Sequence, residues 1–201
     1  MARILTNDKF EKKKKEITDT GRLVKSFNEQ HCVTKNTNII IVGTITPPEG
    51  VKNGYFYTAP LNKIYGYIDE ARGSVGLKEK KDKLKEVDDS QKSTIVDAIK
   101  KILKEQGIAF LDVMSMAIRK EGKGNSCADS DIQYCVLAEE DFNEIFEGEL
   151  KGKEVKVICN SREAERKYQK LKESIIDLPK EKFLSQRRGK KTCWVAELSI
   201  T

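Results

Sequence analysis

The sequence predicts an α/β protein, a three-layer α/β/α sandwich around a central, mostly parallel four-stranded sheet. Three observations carry this expectation. Apolar runs without polar alternation recur at 39–43, 108–113 and 155–159, the pattern of strands covered on both faces. Helical periodicity fills the intervals between them. Alternation of strand and helix builds parallel crossovers that place helices on both sides of a sheet.

Taken in order, residues 1–37 read as a charged leader with helical stretches. The four lysines Lys12 to Lys15 suit either a solvated helix face or a nucleic-acid arm. Residues 39–43 are the first strand and 44–62 a loop. Residues 63–73 predict a helix with Ile64, Tyr67, Ile68 and Ala71 on one face. The lysine- and acid-rich 77–92 is an exposed helix or a surface excursion. Residues 94–106 are a helix with Ile95, Ile99, Ile102 and Leu103 inward, Thr94 and Asp97 as a capping pair and Gly107 as the stop. After the strand at 108–113 comes a loop with Gly122, Gly124 and Asn125. Residues 139–147 form a helix on Phe142, Ile145 and Phe146. Ser161 caps the helix after the third strand. Ser174–Leu178 is read as a fourth strand stopped by Pro179, and Trp194 with the residues after it as an edge strand.

The 201 residues suffice for one domain with a real core: a leader over 1–37, a core over 38–180 and a basic extension over 181–201. Charged residues make up 35% of the chain, and the net charge of +6 permits a polyanionic partner without demanding one. No apolar run approaches the roughly 20 residues of a transmembrane helix, and the first residues lack the apolar segment of a signal peptide. A cytoplasmic protein with no membrane partner is expected. The five cysteines, Cys32, Cys127, Cys135, Cys159 and Cys193, show no C-x-x-C spacing, so reduced thiols are expected and no metal.

The chemistry concentrates after the first strand. Ile39–Gly43 runs into the hydroxyl- and proline-rich Thr44–Pro48, and then into Tyr55, Phe56, Tyr57, Pro60 and Asn62. Such a turn puts backbone N–H groups at the carboxyl edge of a sheet, where open α/β folds bind ligands. Gly43 lets a flat ring approach Gly43 and Thr44 closely. Phe56 and Tyr57 are read either as stacking surfaces for a nucleobase or as core packing. Asn62 is either a site residue or a turn and cap residue after Pro60.

In order and spacing these segments resemble the uracil-DNA glycosylase superfamily, and within it the branch with hypoxanthine-DNA glycosylases. The matching pieces are Gly43–Pro47, Phe56–Tyr65, Gly107–Val113, Arg119 with Asn125–Ile132, Glu140–Phe142 and Cys159–Ala164, spanning roughly 38–180. The resemblance implies a DNA glycosylase that excises uracil, hypoxanthine or xanthine as a monomer, with DNA as partner and no cofactor. It implies that Asn62 orients the attacking water, that Gly43, Thr44, Phe56, Tyr57 and Asn160 hold the base, and that Asp112 is structural. Ser126, Asp129 and Ser130 are read as capping a following helix. Lys180, Lys182, Arg187 and Arg188 lie at and just after the family's DNA-pinching loop and are assigned to phosphate contact. That loop departs from the family's small hydroxyl residues: here it reads Leu178-Pro-Lys-Glu-Lys-Phe183, and the single histidine, His31, precedes the first strand. This departure opens an alternative, a non-catalytic nucleobase or nucleic-acid binding module on the same fold.

Overall fold

The computed structural model describes residues 2–18, 20–175, 177–185 and 191–199. In chain order the elements are β1 (Arg3–Ile4), α1 (Asn7–Lys15), β2 (Leu23–Lys25), β3 (Ile39–Gly43), α2 (Pro48–Asn53), α3 (Ile64–Ala71), α4 (Leu77–Lys83), α5 (Asp89–Glu105), β4 (Ile108–Asp112), β5 (Met114–Arg119), β6 (Ile132–Leu137), α6 (Glu139–Glu147), β7 (Lys156–Cys159), α7 (Arg162–Ser174), β8 (Glu181–Phe183) and α8 (Lys191–Leu198).

The central sheet has the order β4-β3-β7-β8 with every pairing parallel, and helices flank it. Its two middle strands, β3 and β7, are apolar because both faces are covered: Ile40, Ile41, Val42, Ile158 and Cys159 are all fully buried. One helical layer contains α8, α3, α4 and α5, packed in that succession, with Tyr67 of α3 stacked on Trp194 of α8 at 6.1 Å between centroids. On α6 and α7, Phe142 meets Tyr168 edge-on at 5.9 Å.

A second four-stranded sheet, β1-β6-β5-β2, is mostly antiparallel. It is joined to the first through β4, which continues past Val113 directly into β5. The Val113 N–H donates to Gly43 O, while the Ala138 N–H donates to Val113 O. Phe10 of α1 packs on this second sheet against Ile118 and Val136.

Several expectations are corrected. The 1–37 leader supplies two strands and a helix to the fold. The loop expected after 113 is the antiparallel pair β5 and β6, so the Ser126–Ser130 segment precedes a strand rather than capping a helix. The fourth strand is Glu181–Phe183, because α7 runs to Ser174 and Ile175 and Leu178 serve as buried anchors beyond its end. The Trp194 segment is a helix. The long helix begins at Asp89, where Asp88 accepts a hydrogen bond from the Gln91 N–H, so Thr94 and Asp97 lie inside it.

A crevice at the strand-order reversal

From β3 the chain crosses to β4 on one side, and β7 then lies on the other side of β3. The order therefore reverses between β3 and β7, and in open α/β sheets the crevice outside the carboxyl ends of such a pair is the ligand position. Three side chains meet there. Thr44 Oγ1 donates to Asp129 Oδ2 at 2.9 Å and lies 3.0 Å from Ser161 Oγ, which itself donates to Asp129 Oδ2 at 3.3 Å. Ser161 also caps α7, accepting from the Ala164 N–H. Burial pushes the Asp129 carboxyl upward despite the two hydroxyl donors. Asp129 is thus an acceptor-rich group between a strand end and a helix N-terminus.

Gly43 is crowded from the other side. A Cβ built on it would lie 2.7 Å from Asp112 Oδ1 and 2.7 Å from the Tyr57 hydroxyl oxygen. Only a residue without a side chain fits. Asp112 is buried, and its Oδ2 accepts from both the N–H (2.7 Å) and Oγ1 (2.8 Å) of Thr46. Burial raises its carboxyl to about 7, offsetting those hydrogen bonds. Tyr57 has φ of 55°, the left-handed region disfavoured for a bulky residue, and its buried hydroxyl has no hydrogen-bond partner among the described residues. Burial also holds that phenol well above its ordinary range.

The loop carrying Asn62 is tied down at several points. The Tyr65 hydroxyl donates to Phe56 O at 2.7 Å, and Thr58 Oγ1 donates to Tyr55 O at 2.8 Å. The Asn62 Oδ1 accepts from the Ile64 N–H at 3.0 Å, the turn interaction that its position after Pro60 suggested. Its Nδ2 makes no hydrogen bond among the described residues. Lys81 of α4 is buried, and its ammonium donates to Pro60 O (3.1 Å) and Asn62 O (2.8 Å). Burial lowers the Lys81 pKa.

Of the residues expected at the site, Gly43, Thr44 and Asn160 lie at the carboxyl edge on either side of the reversal. The Asn160 N–H continues the ladder to Val42 O, and its half-buried amide makes no side-chain hydrogen bond among the described residues. Phe56 lies inside the core, ringed by Phe27, Tyr55 and Phe110. Lys180 is exposed, whereas Lys182 is paired with Glu197, which also receives Lys156. Arg187 and Arg188 lie outside the described residues. Cys32, Cys135 and Cys159 are buried and Cys127 and Cys193 exposed. Among the described residues no cluster of His, Cys, Asp or Glu is arranged to hold a metal ion, and no helix is long and apolar enough to cross a membrane.

Two participants were not expected at the site: Asp129, read from the sequence as a helix cap, and Lys81. Asp129 carried a signal, since it falls within the Asn125–Ile132 segment that matched the family. Lys81 carried one too: it sits four residues after Leu77 and three before Leu84, on the buried stripe of α4.

The fold has a solved counterpart. The solution NMR structure of a Methanosarcina acetivorans protein, provisionally described as a uracil DNA glycosylase, superimposes with a TM-score of 0.54 at 19% identity, covering 88% of this chain and 96% of that one. The two share a glycosylase-like fold. No protein-family model matches this sequence, and no curated protein does. At 19% identity the likeness is one of fold.

Proposed function

We propose that this protein is a monofunctional DNA glycosylase of the uracil-DNA glycosylase superfamily, nearest its hypoxanthine-DNA glycosylase branch, that removes uracil, hypoxanthine or xanthine from DNA. It acts as a cytoplasmic monomer without metal or cofactor. The observation that carries the reading is Asn62: its backbone is clamped by Lys81, its Oδ1 is held by the turn, and its Nδ2 makes no hydrogen bond among the described residues, all on the loop that leaves the central strand of a glycosylase-like fold.

In the proposed reaction a flipped nucleotide enters the crevice between the ends of β3 and β7. Thr44 and Asn160 meet the edge of the base. Asn62 orients a water whose oxygen bonds to C1′ as the C1′–N bond breaks. The base leaves with the bonding electron pair and takes up the proton the water gives up, so the products are an abasic sugar hydroxyl and the free base. Fixed dipoles around the departing base stabilise the developing charge. Lys180, Lys182, Arg187 and Arg188 are assigned to the DNA backbone. The test is single-turnover excision by Asn62→Ala. Loss of excision with substrate binding and melting temperature retained supports the assignment, and an active variant removes Asn62 from the mechanism.

One observation favours a second reading, a binding module that does not cut. The Tyr57 hydroxyl and Asp112 already occupy the space over Gly43, and the 178–183 loop has charged residues in place of small hydroxyls. Binding of an oligonucleotide without release of any base would favour it.

A further inference from the structure

A basic groove lies outside this reaction. It has a volume of about 520 Å³ and lies between β1 and α1, lined by Arg3, Ile4, Lys9, Lys12, Lys13 and Tyr134. Four cations face one acid, Glu16, which is taken up by Lys13 at 2.7 Å. Arg3, Lys9 and Lys12 are exposed and make no ion pair or side-chain hydrogen bond among the described residues. Uncompensated like charge around a concave surface attracts a polyanion.

Two contacts tie the groove to elements that also border the crevice. Lys167 of α7 donates to Ala2 O at 3.0 Å, anchoring the start of β1 to a point six residues beyond the Ser161 cap. At a helical rise of about 1.5 Å per residue that is about 9 Å. Arg3 also pairs with Tyr134 of β6, five residues after Asp129. The Lys167 side chain adds to the first route and five residues of chain make up the second, so the separation is on the order of 20 Å. A DNA strand carries a phosphate about every 3.4 Å, and a segment of several nucleotides spans it.

We infer that the Arg3–Lys9–Lys12 groove binds the phosphate backbone of the nucleic acid whose nucleotide enters the crevice; the inference rests on the proposed reading that the partner is nucleic acid. A membrane surface is disfavoured because the one apolar residue of α1, Phe10, is buried. Strand addition by an acidic peptide is disfavoured because β1 has only two residues.

The test uses the full chain, a labelled uracil-containing duplex and the double variant Lys9→Gln/Lys12→Gln, whose positions are exposed. Binding is measured between about 50 and 200 mM salt. Losing two phosphate contacts flattens the plot of log K against log salt by about 1.8. The control is Lys101→Gln/Lys104→Gln, an equal charge change near the end of α5, which leads into the opposite, amino edge of the sheet at Ile108. A flatter slope in the first variant alone supports the groove. An unchanged slope, or an equal change in both variants, overturns it while leaving the excision reading intact. So would competition by polyglutamate as strong as that by DNA of equal charge, or retention on anionic vesicles without oligonucleotide binding. Base release by a protein with an unchanged slope shows the groove wrong and the reaction right, whereas a flattened slope with no release shows the reverse.

Discussion

The Tyr57 hydroxyl oxygen lies 2.7 Å from where a Cβ on Gly43 would be, and no described residue accepts a hydrogen bond from it or donates one to it. A buried, unpaired hydroxyl on a residue with positive φ opposes folding locally, which is characteristic of functional sites. Gly43→Ala should therefore destabilise the protein by about 1–3 kcal/mol through overpacking. In a Tyr57→Phe background the cost should be smaller by at least about 0.5 kcal/mol, because one of the two obstructing atoms is gone. Denaturant unfolding of the four proteins measures this. Strict additivity would show that the contact is relieved some other way.

Asp112 makes stability depend on pH. Its carboxyl is raised from 3.8 to about 7, so between these values the folded state binds the proton more tightly than the unfolded chain does. Its contribution is fully present below about pH 4 and is lost as pH rises through 7, with an upper bound on the order of 4 kcal/mol. Asp112→Asn keeps an acceptor for Thr46 and removes the titration. The stability difference, wild type minus variant, should fall between pH 4 and 8. A difference that rises or stays flat would refute the burial argument.

Lys81 is expected to act as a positioning residue. Lys81→Met keeps the aliphatic packing on the stripe of Leu77 and Leu84 but leaves Pro60 O and Asn62 O without their donor, at a cost of about 1–3 kcal/mol. The 58–63 amides should exchange faster. Single-turnover excision should fall about 10–100-fold while oligonucleotide affinity changes little, since about 1 Å of misplacement suffices for such a loss. Unaltered exchange in this loop would remove Lys81 from the account.

Asp129 holds two hydroxyls at the strand reversal. Asp129→Ala removes the shared acceptor of Thr44 Oγ1 and Ser161 Oγ, leaving them only each other, and keeps the Ser161 cap on Ala164. Because Asp129 is only half-buried as a residue, we expect a modest stability change of about 1 kcal/mol. If Thr44 meets the base, this variant should alter the preference among uracil, hypoxanthine and xanthine by more than it alters stability. Equal losses on all three bases would make Asp129 structural.

What the sequence made legible follows from burial. Ile39–Gly43 and Ile108–Asp112 were readable because strands covered on both faces leave uninterrupted apolar runs. Ile132–Leu137 was obscured by Gly122, Gly124 and Asn125, which announce a loop but equally join two antiparallel strands. Glu181–Phe183 carries no apolar run at all: it is an edge strand held by pairing with β7, and the nearby Ile175 and Leu178 mimicked a strand by packing from irregular chain. The start of α5 was hidden because its first turn is polar and exposed. At the site, Gly43, Thr44 and Asn160 were legible from their place after strands, whereas the meeting of Thr44 with Asp129, 85 residues away, exists only through the topology.

The most direct test of the central claim is single-turnover incubation of the wild-type protein with end-labelled oligonucleotides containing uracil, hypoxanthine or xanthine, followed by alkaline cleavage at abasic sites. Strand scission at the modified base for at least one substrate, absent with Asn62→Ala, is the predicted result. Intact strands with all three bases, from protein that still binds the oligonucleotide, would contradict the glycosylase reading and establish the fold here as a binding scaffold.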